Sequence, residues 1–244
     1  MIPGGINIEI EKASYVDFLK NIKEGSVDLI LTDPPYAISK DSGYTNTKLD
    51  KYAKHTIDFG EWDEKEIDLP ALAELSFKAL RKGGTVIVFY DLWKITKLAE
   101  AFEKVGFKQK RFIQWVKTNP VPINSKLNYL SNAIEIAVSF VKVSKPTFHS
   151  KYDNGVYEMP IHREKRYHPT QKPIGLIAEL MKKHSTAGDL VVDPFLGSGT
   201  TAIVAQRLDR NFKGCDISAE YVGTARDRVE DEARTIRECL AEIL

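Results

Sequence analysis

Two spacings of apolar and polar positions alternate along the chain. Residues 6–12 (INIEIEK) place an apolar side chain at every second position, as a strand with one wet face does. The stretch VDLILTD from Val27 is an apolar run, as in a strand covered on both faces, and residues 85–90 (TVIVFY), 132–141 (NAIEIAVSFV) and 189–193 (DLVVD) read the same way. Between them lie helical segments. Residues 69–84 (LPALAELSFKALRKGG) close on a glycine pair suited to a helix C-terminus, and residues 92–106 end similarly at Gly106. Residues 174–185, 200–210 and a charged tail over 219–240 complete the set. Strands alternating with amphipathic helices predict an α/β fold, a doubly wound and mainly parallel sheet.

Two stretches break the alternation. Residues 37–62 are polar and aperiodic, and residues 143–168 are rich in Lys, Arg, Tyr and His with two prolines. Connections this long inside a compact domain are uncommon unless they serve function or are disordered. Composition agrees with a folded chain: 244 residues, 43% hydrophobic and 28% charged, of a length for one domain with a modest insertion. No apolar stretch reaches the roughly 18 residues of a membrane span and the first residues lack a secretory pattern, so a cytoplasmic protein is expected. With only Cys215 and Cys239, neither a disulfide framework nor a cysteine zinc site can be built. His55, His149, His162 and His184 show no metal-ligand spacing, and no metal is expected.

The net charge of +1 conceals an uneven distribution. Residues 104–172 carry 13 basic and four acidic side chains, a surplus of nine, with Trp115, Tyr129, Phe148, Tyr152, Tyr157 and Tyr167 interleaved. Such a segment suits a polyanion, because phosphate contacts release counterions and aromatic rings stack on bases. A solvated, lysine-rich face is the plainer alternative.

Two strand ends carry candidate chemistry. After DLVV come Asp193, Pro194, Phe195, Leu196, Gly197, Ser198, Gly199 and Thr200, then a helix. Glycines there let backbone approach a ligand at the carboxyl end of a strand. The next apolar segment, residues 211–218, contains Asp216, placed to accept hydrogen bonds from both ribose hydroxyls of an adenosine-containing ligand. The glycines depart from GxGxxG, which weighs against a dinucleotide oxidoreductase. The other point is Asp33, Pro34, Pro35, Tyr36 after VDLILT. Prolines stiffen the turn and offer carbonyl oxygens but no N–H donors, beside a carboxylate and a ring. Acceptors plus a stacking face suit a planar group bearing an NH2; a plain turn with a capping Asp is the alternative.

TDPPY, WVKTNPVP (115–122), HPTQKP (168–173) and DPFLGSGTT (193–201), in that order, resemble the S-adenosylmethionine-dependent DNA amino-methyltransferases of the permuted β group, over nearly the whole chain. The resemblance implies a Rossmann-like sheet of seven strands, permuted to start at its third strand. It also implies a catalytic and cofactor domain over 1–117 and 168–244, a target-recognition region over 118–167, and a loop over 37–62 that closes on an extruded base with Lys40, Lys48, Lys51 and Lys54 near phosphates. Asp33, Pro34, Pro35 and Tyr36 look like the catalytic loop. Asp193, Pro194, Phe195, Gly197, Ser198, Gly199 and Thr200, with Asp216, look like the S-adenosyl-L-methionine site, its other side lined by Thr170, Gln171 and Lys172. Where family members carry a Gly-Asp pair near the cofactor's adenine, this chain has Ala13 and Ser14, with Ser14 or Asp17 as replacement candidates.

The expected reaction is direct transfer of methyl to N6 of adenine in DNA after base flipping, because Asp before PPY leans toward adenine and Ser toward N4 of cytosine, the alternative. Cytosine-C5 chemistry fails for want of a suitably placed cysteine. Methylation of a glutamine amide or RNA, and an oxidoreductase or inert cofactor-binding module, are further readings. A homodimer and an accompanying restriction enzyme stay open. Trp115, Phe89 and Tyr90 are expected in the core.

Overall fold

The computed structural model describes residues 5–35, 67–120, 133–161 and 171–243. Its strands are β1 (Ile8–Lys12), β2 (Val27–Thr32), β3 (Leu80–Tyr90), β4 (Lys108–Lys117), β5 (Ile134–Val141), β6 (Val156–Met159), β7 (Leu190–Asp193) and β8 (Asn211–Asp216). The helices are α1 (Tyr15–Asn21), α2 (Leu69–Ala79), α3 (Ile95–Val105), α4 (Ile174–His184), α5 (Thr200–Arg207) and α6 (Ala219–Ile243). One open sheet has the order β1-β8-β7-β2-β3-β5-β4-β6. Only β5 runs against its neighbours; every other pairing is parallel. The carboxyl ends of seven strands and the amino end of β5 therefore share one edge, where ligands of open α/β sheets bind.

Helices cover both faces, which is why the central strands are apolar at nearly every position. In β2, Ile30 joins a core with Phe18 and Leu19 of α1, Leu72 of α2 and Phe102 of α3. Its neighbours Leu29 and Leu31 join the opposite core, with Leu176 and Leu180 of α4, Val204 of α5 and Ala225 of α6. The period-2 geometry of a strand sends adjacent side chains to opposite faces, and both faces here are dry.

Three departures from the sequence reading have local causes. The sheet has eight strands among the described residues rather than seven, because β6 adds a parallel edge to β4 from within the stretch read as loop. The helix expected over 69–84 stops at Ala79, and its glycine pair lies inside β3. Val27 pairs with Leu80 but Leu29 pairs with Thr85, so Arg81–Gly84 bulge out of register. Gly83 sits at φ +78°, and a Cβ there would lie 2.6 Å from the Lys145 carbonyl oxygen, so the pair serves a bulge rather than a cap. The segment over 92–106 splits into a 3-10 turn at Leu92–Lys94 and then α3. Among the described residues, no helix is long and apolar enough to cross a membrane.

Candidate active site

β2 and β7 lie side by side, with Leu29 opposite Val191 and Ile30 opposite Val192. Asp33, Pro34 and Pro35 thus leave the sheet beside Asp193. Thr32 Oγ1 donates to Asp193 Oδ1 at 2.7 Å, Thr201 Oγ1 donates to Oδ2 at 2.8 Å, and the Phe195 N–H reaches Oδ1 at 3.1 Å. Asp193 is buried, and burial is the main cause that lifts its carboxyl to about 6. The three donors oppose the rise, and the nearby Asp33 charge adds to it. Asp193 is therefore a knot between the end of β2, the end of β7 and the first turn of α5.

The glycine loop is held from two sides. Gly197 N–H donates to Asp216 Oδ2 at 2.9 Å and Ser218 N–H to Asp216 Oδ1 at 2.8 Å, so this carboxylate fastens the loop to the end of β8. Arg228 of α6 donates to the Ser198 carbonyl and, at 3.1 Å, to Ser198 Oγ. Gly199 has φ +85°, and a Cβ there would lie 2.7 Å from Ala225 Cβ, so loop and α6 touch without space for a side chain. Thr200 opens α5 with a buried hydroxyl oxygen that has no hydrogen-bond partner among the described residues. Pro194 accepts from the Cys215 thiol through its carbonyl at 3.3 Å.

Phe195 packs on Tyr15, ring centroids 5.0 Å apart, at the mouth of the β1–α1 turn. The Ala13 N–H donates to the Asp216 carbonyl at 3.1 Å, which places Ala13 and Ser14 next to the loop. Ser14 caps α1 by accepting from the Asp17 N–H at 3.1 Å, and its hydroxyl donates to Asp17 Oδ2 at 2.7 Å. Both side chains proposed for adenine recognition are engaged with each other.

On the other side of Asp33 lies a chain of alternating charges. Lys172, 6% exposed, forms an ion pair with Asp33 Oδ2 and a second with Glu135 Oε2 at 3.1 Å. Glu135 Oε1 then meets Lys117 Nζ at 2.7 Å. Burial works to lower the Lys172 ammonium, but the two carboxylates outweigh it and hold the group above its ordinary range. Burial likewise works to raise Glu135, and the two lysines outweigh that, so it lies below the usual carboxylate range. Lys172 sits 5.0 Å over the Phe89 ring and Lys117 5.3 Å over Trp115. Phe89 and Trp115 are buried as expected, and they also floor this charge chain. Past Lys117, Asn119 accepts from the Ile161 N–H at 2.6 Å and donates to its carbonyl at 3.2 Å, stapling the two flanks of residues 120–160.

The sequence-predicted residues Asp33, Pro34, Pro35, Asp193, Pro194, Phe195, Gly197, Ser198, Gly199, Thr200, Asp216 and Lys172 thus converge on one sheet edge. Gln171 precedes Lys172, while Tyr36, Thr170 and all of residues 37–62 lie outside the described residues. Lys172 reaches Asp33 rather than the glycine loop. Glu135, Lys117 and Asn119 were missed; the only signal was the position of Lys117 and Asn119 inside WVKTNP. Among the described residues, the basic side chains of this segment do not form one face. Lys142 donates to the Leu80 carbonyl at 2.8 Å, Lys110 pairs with Glu103 at 2.9 Å, and Lys117 and Lys172 are in the chain just described. Lys126, Arg163, Lys165 and Arg166 lie outside the described residues. His184 is buried at the far end of α4 from Lys172, held down to about 4 by burial.

Residues 27–227 match the family described as DNA methylase, N6_N4_Mtase. The Type II methyltransferase M2.DpnII of Streptococcus pneumoniae is 33% identical over 240 residues, 89% of this chain and 88% of that protein. The Type II methyltransferase M2.MboI of Moraxella bovis is 28% identical over 92% of this chain and 88% of that protein. Among solved structures, M1.HpyAVI in complex with SAM is 30% identical with a TM-score of 0.70, covering 91% of this chain and 99% of that one. The cytosine-N4-specific PvuII DNA methyltransferase shares the fold, at TM-score 0.71 and 18% identity, over 94% of this chain and 92% of that one. The family's match runs from β2 to α6 and so spans both the Asp33 turn and the glycine loop: the chain belongs to the N6_N4_Mtase family of DNA methylases.

Proposed function

We propose that this DNA methylase transfers the methyl group of S-adenosylmethionine to the exocyclic N6 of adenine in DNA. The observation that carries the reading is the juxtaposition of the Asp33-Pro34-Pro35 turn with the Asp193–Thr200 loop on adjacent parallel strands, tied by Thr32 and Asp193. The loop fits an adenosyl cofactor in its chemistry. Thr200 presents a buried hydroxyl oxygen without a partner among the described residues, Gly197 has open space where a Cβ would stand, and Asp216 offers a carboxylate oriented by two backbone N–H groups. Bound there, S-adenosylmethionine supplies a methyl group made electrophilic by its sulfonium.

The protein's task is to orient a weak nucleophile. An exocyclic amine delocalises its lone pair into the ring, and hydrogen bonds from its two N–H groups to the Asp33 carboxylate and the Pro34 carbonyl draw it toward tetrahedral geometry. Orientation of this kind supplies several kcal/mol of a barrier. A paired base cannot reach a turn at the sheet edge, so the target is extruded from the duplex at a cost of a few kcal/mol. Asp216 accepts from the cofactor ribose and Tyr36 stacks on the base. Residues 118–167 read the target sequence, and the names of the Type II relatives support pairing with a restriction enzyme.

Transfer of a tritiated methyl group to DNA, followed by nucleoside digestion and chromatography, tests this. Label in N6-methyladenine is expected. Label in N4-methylcytosine moves the activity to the other branch of the family, and no label in DNA rejects both. In the same assay Asp33→Ala abolishes transfer while cofactor affinity, read by calorimetry, stays within about threefold; comparable turnover refutes the role of Asp33.

A further inference from the structure

Lys172 poses a difficulty for a catalytic carboxylate. An ammonium paired with Asp33 competes for the same oxygens that the target amine needs, and alone it would neutralise the charge that steadies a nitrogen becoming positive. The structure gives Lys172 a second anchor. Glu135, at the amino end of the antiparallel strand β5, pairs with the ammonium, Oε2 to Nζ 3.1 Å, and the Phe89 ring lies beneath it at 5.0 Å. An ammonium has three donors and no acceptor, so Glu135 and Asp33 divide them. Glu135 is itself fixed, because its two oxygens point at different lysines, Oε2 to Lys172 and Oε1 to Lys117 at 2.7 Å. Among the described residues, two cations and two carboxylates alternate.

We propose that Glu135 is a positioning residue for methyl transfer: by sharing Lys172 it keeps the Asp33 carboxylate available to the target amine, and Lys117 regulates how large that share is. When the amine arrives, Lys172 keeps a carboxylate partner in Glu135 and need not follow Asp33. Removing Glu135 commits Lys172 to Asp33 and leaves two cations against one carboxylate. Removing Lys117 acts in the opposite sense, because the undivided charge of Glu135 then draws Lys172 from Asp33. The inference rests on the reading of Asp33 as acceptor for the amine.

The two single variants separate this from a scaffold role. Glu135→Gln keeps the shape of the side chain, and its single-turnover methyl transfer, measured where the variant is folded, falls at least tenfold while the S-adenosylmethionine dissociation constant, by calorimetry, stays near wild type; the melting midpoint falls, because two lysines lose a carboxylate. Lys117→Met acts in the opposite sense and raises transfer above wild type; transfer below wild type overturns the proposal. Transfer by Glu135→Gln within threefold of wild type overturns it as well. Should Glu135→Gln not fold, Glu135→Asp, whose shorter carboxylate weakens the share, takes its place, with an intermediate loss expected and none overturning the idea. The wild-type protein in the same assay keeps the two readings apart: no methylated adenine there fails the proposed function, whereas active wild type with unaffected Glu135 variants fails only this one.

Discussion

Thr32 and Asp193 are 161 residues apart in sequence and joined by a 2.7 Å hydrogen bond. The hydroxyl belongs to the last residue of β2, just before Asp33; the carboxylate closes β7, just before the glycine loop. One buried bond thus fixes the Asp33-Pro34-Pro35 turn against the glycine loop. Thr32→Val preserves shape and deletes the donor, leaving a buried carboxylate one partner short at a cost of about 1–3 kcal/mol. Because a small misplacement of reacting groups is costly in rate, turnover is expected to fall about tenfold. Cofactor affinity falls less, since Thr201 and the Phe195 N–H still hold Asp193. Melting curves and steady-state kinetics check this; unchanged turnover would show the bond to be dispensable.

Asp193 also sets a pH dependence. Its carboxyl is raised from the ordinary 3.8 to about 6, chiefly by burial. The folded state then holds a proton that the unfolded chain has released, so the contribution to stability is full below about pH 4 and is lost as pH rises through about 6. A shift of this size corresponds to about 2–3 kcal/mol. Glu135 contributes in the opposite sense, being lowered in the fold, so the comparison must be between variants. Urea unfolding of Asp193→Asn, which cannot ionise, should gain relative to wild type between pH 4 and pH 7 by about that amount. A constant difference across the window would remove Asp193 as its source.

What the chain reveals before folding follows from range. The turn after β2 and the loop after β7 are each contiguous in sequence, so the strand ends at Asp33-Pro34-Pro35 and Asp193–Thr200 were legible, as were the apolar strands that two helical layers bury. β4 was not, because KQKRFIQWVK exposes its first five side chains and is ordered by pairing with β5 and β6 rather than by a period of its own. β6, four residues long, is too short for any period. Glu135 was hidden for a related reason: it follows one of two isoleucines in an ordinary strand, and its meaning comes only from the antiparallel register that sets it opposite Trp115, beside Lys117. The glycine pair of β3 misled because a bulge and a helix end need the same backbone freedom.

The basic surplus of residues 104–172 divides along β4. Lys108, Lys110 and Arg111 are exposed at its amino end, and Lys117 lies six residue steps along the strand from Arg111, about 20 Å at the rise of a strand. On the proposed function, DNA that delivers a base to Asp33 meets the carboxyl edge. Lys108→Ala with Lys110→Ala is therefore expected to leave DNA affinity within twofold and the salt dependence of binding unaltered, since a phosphate contact contributes about one counterion to that slope. Titrations at several salt concentrations measure it, and a shallower slope would place DNA on this end as well.

Gly197 and Gly199 both occupy the left-handed region, at φ +51° and +85°, yet their surroundings differ. At Gly197 a methyl group would meet open space, so Gly197→Ala bears only the backbone penalty, about 1–2 kcal/mol. At Gly199 the same methyl would lie 2.7 Å from Ala225 Cβ and 3.0 Å from Ala225 Cα, and Arg228, one turn further along α6, already clamps Ser198. Neither side can withdraw without shifting the helix or the loop. Gly199→Ala is expected to lower the melting midpoint further than Gly197→Ala and to weaken S-adenosylmethionine binding more than tenfold, because the displaced loop carries the Gly197 N–H off the Asp216 carboxylate. Gly199→Ala with Ala225→Gly removes the 2.7 Å contact but keeps the 3.0 Å approach to the residue 225 Cα and the backbone penalty, and should recover part of the lost affinity. If the double variant binds no better than Gly199→Ala, contact with α6 is not what fixes the loop.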